Sequence, residues 1–275
     1  MTNIDDRTVA GFGDEWTSFD QSGLSRAEQE HIFGQYFSIM PWDRLPPNAV
    51  GFDLGCGSGR WAELVAPRVG TLHCIDASGA ALNVARRKLA QHKNCVFHEA
   101  SVDAIPLADD SMDFAYSLGV LHHVPSTAEG IRDCVRKLKP GAPFLIYLYY
   151  AFDNRPGWFR AVWRASDLGR RAIRGLPYPI RYGASQAIAA CVYYPLARGS
   201  LALEKMGYDV NNIPLAQYRE RSFYVMRNDA LDRFGTMLEQ RFTRAEISAM
   251  MTAAGLRDIA FSDAIPYWCA IGIKA

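Results

Sequence analysis

Three glycines at alternate positions follow a carboxylate in the run Val50-Gly51-Phe52-Asp53-Leu54-Gly55-Cys56-Gly57-Ser58-Gly59-Arg60. The residues up to Leu54 read as a short buried strand. Trp61, Ala62, Leu64, Val65 and Ala66 supply the apolar positions of a helix after the glycines. Between the two the chain must turn sharply, and Gly55, Gly57 and Gly59 lack the Cβ that would keep a ligand off the backbone. The spacing is G-x-G-x-G. It is not the G-x-G-x-x-G that presents a helix N-terminus to a pyrophosphate. A carboxylate two residues ahead of the first glycine suits a cationic amino group instead. In an open α/β sheet the crevice beyond the strands' carboxyl ends is where a nucleotide-like ligand sits.

A second carboxylate ends the next apolar run, Thr71-Leu72-His73-Cys74-Ile75-Asp76, and Ala77 follows it. An acid about twenty positions past the glycines is the ribose-hydroxyl acceptor of nucleotide-binding α/β folds. A carboxylate can accept from both hydroxyls. The competing reading of Asp76 is a charge placed at the dipole of the following helix. Farther on, Ser117 and Leu118 end a fourth strand, and His122 and His123 lie just past it at the same sheet edge. Histidine titrates near neutrality. His122 is therefore the candidate general base or substrate orienter, needed only where the nucleophile begins protonated. A structural hydrogen bond in the loop is the plainer role. Tyr147, Tyr149 and Tyr150 close a fifth, strongly aromatic strand. Alternation puts Tyr147 and Tyr149 on one face and Tyr150 on the other.

The elements that must position these residues are visible in the pattern. Strands are expected at 49–54, 71–76, 95–98, 112–118 and 143–150, with helices at 59–66, 79–92 and 126–138 between them. Ser78 is a plausible N-cap for the second helix. Such alternation implies βαβ units and a parallel sheet. After 150 it stops. It resumes with Thr243-Arg244-Ala245-Glu246, a capping-box signal, then a helix to 254, Gly255 as its terminator, and strands at 258–261 and 267–273. Residues 1–47 read as a helical cap. Ser25 and Glu28 form a second capping-box candidate, and Ile32, Phe33, Tyr36, Phe37 and Met40 recur at helical spacing.

Composition sets the outer bounds. The chain has 275 residues and a net charge of +1, so no global field selects nucleic acid or membrane. The six cysteines, Cys56, Cys74, Cys95, Cys134, Cys191 and Cys269, include no C-x-x-C pair and no zinc spacing. They read as reduced, buried thiols, and no metal is expected. Residues 1–19 are polar and acidic, without the apolar core of a signal peptide. No apolar run approaches the about 18 residues of a membrane span. The expected location is cytoplasmic.

Four stretches, in this order and spacing, resemble the class I methyltransferases that use S-adenosylmethionine (SAM): Asp53 to Gly59; Ile75-Asp76; Ser101 to Pro106 with Ser111-Met112-Asp113-Phe114; and Leu121-His122-His123-Val124 with Leu138-Lys139-Pro140-Gly141. The resemblance covers about 48–150 and 243–275. It is closest to the broad group that includes the ubiquinone/menaquinone C-methyltransferases and many small-molecule methyltransferases. It implies a seven-stranded, mostly parallel Rossmann-like sheet with helices on both faces, an N-terminal helical cap and a helical insertion after strand five. It also implies that SAM is the cofactor. Asp53 would organise the methionyl amine, the loop of Gly55, Cys56, Gly57 and Gly59 would hold the methionyl chain, and Asp76 with Ala77 would hold the ribose. Ser101, Val102 and Asp103 would read the adenine, with Asp103 alternatively a helix cap. Ser117 and Leu118 would lie near the sulfonium. Trp16, Phe19 and Tyr36 would belong to a segment that closes over the cofactor.

Residues 151–242 depart from the minimal fold and, by the same resemblance, would build the substrate cavity. Between Arg155 and Arg181 seven arginines face one acid, Asp167, with Trp158, Phe159, Val162 and Trp163 interleaved, the pattern of a basic amphipathic helix. Three readings stand: a solvated helical face, a membrane-surface patch, or arginine forks for an anionic soluble substrate. A nucleic-acid partner is not expected from so short a basic cluster. The expected activity is methyl transfer to a small molecule. The alternatives are a membrane-peripheral lipid or quinone methyltransferase, a non-methylating enzyme such as an intramolecular cyclase, and a non-catalytic SAM-binding regulator.

Overall fold

The computed structural model describes residues 2–275. Seven strands form one sheet: β1 (Val50–Leu54), β2 (Thr71–Asp76), β3 (Cys95–Glu99), β4 (Phe114–Leu118), β5 (Pro143–Tyr147), β6 (Leu256–Phe261) and β7 (Cys269–Lys274). Their order is β3-β2-β1-β4-β5-β7-β6. The first five run parallel, and β7 lies antiparallel between β5 and β6. Ten α-helices are described: α1 (Asp6–Ser18), α2 (Arg26–Tyr36), α3 (Ala62–Val65), α4 (Gly79–Lys88), α5 (Thr127–Lys137), α6 (Gly157–Arg174), α7 (Tyr178–Ile188), α8 (Tyr194–Lys205), α9 (Phe223–Gly235) and α10 (Arg244–Ala253). Helices lie on both faces of the sheet, so the architecture is the Rossmann-like one. Central strands buried on both faces read as continuous apolar runs, as Phe114–Leu118 and Pro143–Tyr147 do.

The chain forms two compact units. One holds residues 2–21, 29–151 and 238–275, and contains the sheet; the other holds 22–28 and 152–237. In the α/β unit the strand order reverses between β1 and β4, the topological switch point where ligands bind in open α/β sheets. The helical unit has its own small core of Ala189, Tyr193, Ala197, Met226 and Ala230.

Several boundaries differ from the sequence pattern. Strand four begins at Phe114, because Met112 pairs with Leu138 in an isolated bridge. Strand five stops at Tyr147, because Tyr150 pairs with Phe242. The second helix ends at Lys88, earlier than its apolar periodicity suggests. Helix α1 lies within the stretch read as a helical cap, although Gly11 and Gly13 interrupt its periodic pattern. Pro195 lies at the start of α8, directly after a π-helical turn at Ala189–Tyr193.

Candidate functional site

The glycine loop leaves β1 with three left-handed residues, Gly55 at φ +75°, Gly57 at +53° and Gly59 at +76°. These conformations cost an L-residue about 1–2 kcal/mol each. Space is as restrictive as the torsion. A Cβ on Gly55 would lie 2.3 Å from the Val120 side chain, and one on Gly57 would lie 2.9 Å from the Trp16 indole. The loop is pinned to β2, where the N–H groups of Gly55 and Cys56 donate to the Ile75 carbonyl at 2.7 and 3.1 Å.

Asp53 is 1 % exposed, and its Oδ2 is buried with no hydrogen-bond partner. Burial pushes its pKa well above the usual carboxylate range. The neighbouring Tyr116 hydroxyl opposes that shift, and Asp76 adds to it. A buried acceptor with an unused lone pair fits an ammonium donor, the methionyl end of SAM. Asp76 is held from both sides: Oδ2 accepts from the Gly57 N–H and Oδ1 from the Ser78 N–H, each at 2.8 Å. Burial raises its pKa, and the two N–H groups oppose the rise. Both oxygens keep further acceptor capacity, and the residue is only partly covered. Ala77 follows at the same edge, also partly covered. Cys56 is buried in the loop. A hydrogen bond with Cys74 favours its thiolate, but burial and the two carboxylates outweigh that and push the thiol up to about 11.

The loop after β3 is held together by its own side chains. The Ser101 hydroxyl donates to Asp103 Oδ1, and the Asn3 N–H donates to Asp103 Oδ2 at 2.9 Å. Both oxygens of Asp103 therefore accept from the protein. The Asn3 amide in turn joins this loop to the start of α5, bonding Ser126 in both directions. Val102 is buried in a short 3-10 turn, while Glu99, exposed at the end of β3, stands against Gly79. Ser117 is fully buried and donates to the Leu54 carbonyl at 3.0 Å, which ties β4 to β1. Leu118 is 8 % exposed, and next to it Gly119, at φ +80°, has open space where a Cβ would be.

Beyond β4 the two histidines take separate roles. His123 Nδ1 contacts the Leu238 carbonyl at 2.7 Å, a geometry that assigns the proton to Nδ1. His122 is fully buried, and neither ring nitrogen has a hydrogen-bond partner. Burial, and then the charges of His123 and Arg241, drive its pKa well below the usual histidine value, so it is a neutral base. Its ring lies 3.8 Å from that of Tyr149, centroid to centroid. On Tyr149 also sits the Arg241 guanidinium, at 5.0 Å, itself bonded to Glu239 at 2.8 Å. Tyr147 meets Tyr149 at 5.8 Å and Tyr36 at 5.0 Å, whereas Tyr150 faces Tyr267 and Trp268. Phe12 contacts His123 at 5.0 Å, and Trp16 rests on the glycine loop. Phe19 is buried.

Sequence reasoning missed Glu239 and Arg241. They lie in a stretch without periodic signal, and only the pairing of Phe242 with Tyr150 brings them to the sheet edge. Among the described residues no cluster of His, Cys, Asp and Glu could hold a metal.

A parallel sheet with a carboxylate-tipped first strand, a left-handed glycine turn at the switch point and a second carboxylate fastened to that turn defines a SAM-binding class I fold. Residues 52–146, about a third of the chain, match the methyltransferase domain family, so this segment is a methyltransferase domain. A ubiquinone biosynthesis O-methyltransferase of Alkalilimnicola ehrlichii is 36 % identical over 91 residues, 32 % of this chain and 37 % of the relative. Phosphoethanolamine N-methyltransferase 2 of Caenorhabditis elegans is 31 % identical over 106 residues, 38 % of this chain and 24 % of the relative. The matched region thus spans well under half the length of either. A chain from the complex between the Haloferax volcanii Trm112 methyltransferase activator and a methyltransferase superposes with TM-score 0.52 at 14 % identity, over 95 % of this chain and 96 % of that one. That likeness concerns the fold alone.

Proposed function

We propose that the protein transfers the methyl group of SAM to a small-molecule acceptor. The observation that carries the reading is the unpartnered, buried Oδ2 of Asp53 beneath a glycine turn whose own N–H is fastened to Asp76. Asp53 would bind the methionyl ammonium, and the peptide groups of Gly55 to Gly59 would lie along the methionyl chain. Asp76, with Ala77 beside it, would accept from the ribose hydroxyls. The cofactor supplies an already activated methyl on a sulfonium, so the protein's task is alignment of the acceptor. Gly119 leaves room for close approach, and Leu118 offers an apolar contact. Asp103 accepts once at each oxygen, from Ser101 and Asn3, and keeps further acceptor capacity, so with Ser101 and Val102 it would read the adenine.

His122 is the residue best suited to take a proton from an acceptor hydroxyl or amine. It is neutral, its ring nitrogens are unused, and Tyr149 holds the ring from one side. The test is incubation with methyl-labelled SAM and fractionated cell extract. Label is expected in the small-molecule fraction, with S-adenosylhomocysteine as co-product. His122→Asn is expected to lower kcat by about 10²–10⁴-fold while SAM affinity, read by calorimetry, stays unchanged. Absence of SAM binding, or label confined to RNA or protein, would overturn the reading.

A further inference from the structure

The helical unit exposes apolar surface that the α/β unit does not. Among the described residues, Val96 is the one exposed large hydrophobic side chain of the α/β unit; the other eleven lie within 152–237. Helix α6 shows how they are arranged. Its inward face carries Phe159, Trp163 and Ile173, with Asp167 and Arg170 buried among them. On the opposite face, at the 3.6-residue period, lie Trp158, Ala161, Val162, Ala165, Leu168 and Ala172, all exposed. Trp158 is 53 %, Val162 52 % and Leu168 69 % exposed, values ordinary for lysine and unusual for a row of apolar residues on one helix. The outward side of α7 continues the character with Ile180, Gly183 and Ala187.

Charge decides what such a face meets. Between Asn154 and Leu203 the chain has eight arginines and one acid, Asp167. That acid is consumed inside the unit: it pairs with Arg170 at 2.7 Å, Arg171 at 2.9 Å and Arg233 at 3.7 Å. Arg160, Arg164 and Arg171 form an exposed strip along the edge of the apolar row, and among the described residues Arg160 and Arg164 take part in no ion pair. A second copy of the chain laid on this face by two-fold symmetry would set arginine against arginine with no acid to relieve it. A nucleic acid would leave Val162, Leu168 and Ile180 against a polar backbone. A bilayer satisfies both halves at once. Tryptophan and aliphatic side chains enter the interface, and arginines beside them reach lipid phosphates.

We propose that α6, continued by α7, is a docking surface for an anionic lipid bilayer. Among the described residues no helix is long and apolar enough to cross a membrane, so the contact is with the surface. The proposal is independent of the methyl-transfer reading, because it uses none of the residues of the candidate site.

The experiment is co-sedimentation of the full chain with phosphatidylcholine vesicles, with and without phosphatidylglycerol. Pelleting is expected with phosphatidylglycerol only, and it should fall as salt is raised. Each arginine near an anionic surface is worth about fivefold in partitioning. Arg160→Ala with Arg164→Ala should therefore cost roughly twenty-five-fold, and Trp158→Ser with Leu168→Ser should also release the protein. All four residues are exposed, so unchanged SAM binding by calorimetry shows that each variant is folded. The proposal fails if the wild-type chain stays in the supernatant, or if either double variant pellets like wild type. It fails equally if the face instead drives self-association that Trp158→Ser with Leu168→Ser abolishes, or retains RNA oligonucleotides without regard to those apolar residues.

Discussion

At the scale of single residues, Asp53 and His122 make opposite predictions about stability. Asp53 has a folded-state pKa raised above its unfolded value by burial. The folded state thus holds its proton more tightly, and stability falls as pH rises from about 3.8 towards the folded pKa. Asp53→Asn removes that loss. The variant is expected to be at least as stable as wild type at neutral pH, while SAM affinity drops about 10–100-fold, the loss of a charged hydrogen bond worth about 1.5–3 kcal/mol. Thermal melts and calorimetry on one sample set read both. His122 has a lowered folded pKa, so the unfolded state takes its proton first. Stability should fall as pH drops below 6.5 and continue falling to the folded pKa, a slope that His122→Asn should flatten. Both residues were legible because strand ends and the turns after them are local features. Arg241 was not legible: its place over Tyr149 depends on a pairing 92 residues away in sequence, Tyr150 with Phe242.

At the scale of elements, the strand-turn-helix around the glycines owes its shape to backbone torsion and to its neighbours alike. Gly57→Ala adds strain at φ +53° and a Cβ 2.9 Å from the Trp16 indole of α1. The first part is intrinsic at about 1–2 kcal/mol; the second is shared with Trp16. In a urea double-mutant cycle, Gly57→Ala should cost measurably less in a Trp16→Ala background, with a coupling of about 0.5–3 kcal/mol. Zero coupling would mean that α1 does not rest on the loop. Caps show what the sequence can and cannot carry at this scale. The Thr243–Glu246 capping box is complete, since each partner lies three residues from the other. Thr243→Ala should cost about 1 kcal/mol. At Ser25 and Glu28 only the hydroxyl-to-backbone half forms, at 3.2 Å, because the Glu28 carboxylate accepts from the Ser222 N–H instead. That is a tertiary contact no local pattern announces. Strand five overran its end for the same reason: Tyr149 and Tyr150 are good strand residues, but the Tyr149 carbonyl accepts from the Phe242 N–H and the Ala151 N–H donates to the Phe242 carbonyl, which pairs Tyr150 with Phe242 outside the sheet.

At the scale of the whole molecule, the order of the strands in the sheet sets a constraint on folding. The last strand in sequence, β7, is not last in space; it lies between β5 and β6. Its pairing is anchored by Lys274, whose Nζ reaches the Leu138 carbonyl at 2.7 Å and Asp110 at 2.5 Å. The sheet therefore cannot be completed until β7 is available. Removing 262–275 would leave β5 with an open edge and β6 without a partner, and unpaired apolar edges template aggregation. The switch point between β1 and β4 lies two strands from the gap, so the cofactor residues themselves would all be present. A chain ending at Phe261 is expected to be recovered insoluble or as a non-cooperative state. A chain lacking only Ala275, whose N–H bonds to the Gly255 carbonyl at 3.0 Å, should fold with a modest loss. If the truncation at Phe261 melts cooperatively and binds SAM like the full chain, the five parallel strands are a self-sufficient core and β7 is an accessory to it. The position of β7 inside the sheet argues for the first outcome, since a strand with partners on both sides contributes two ladders of hydrogen bonds at once.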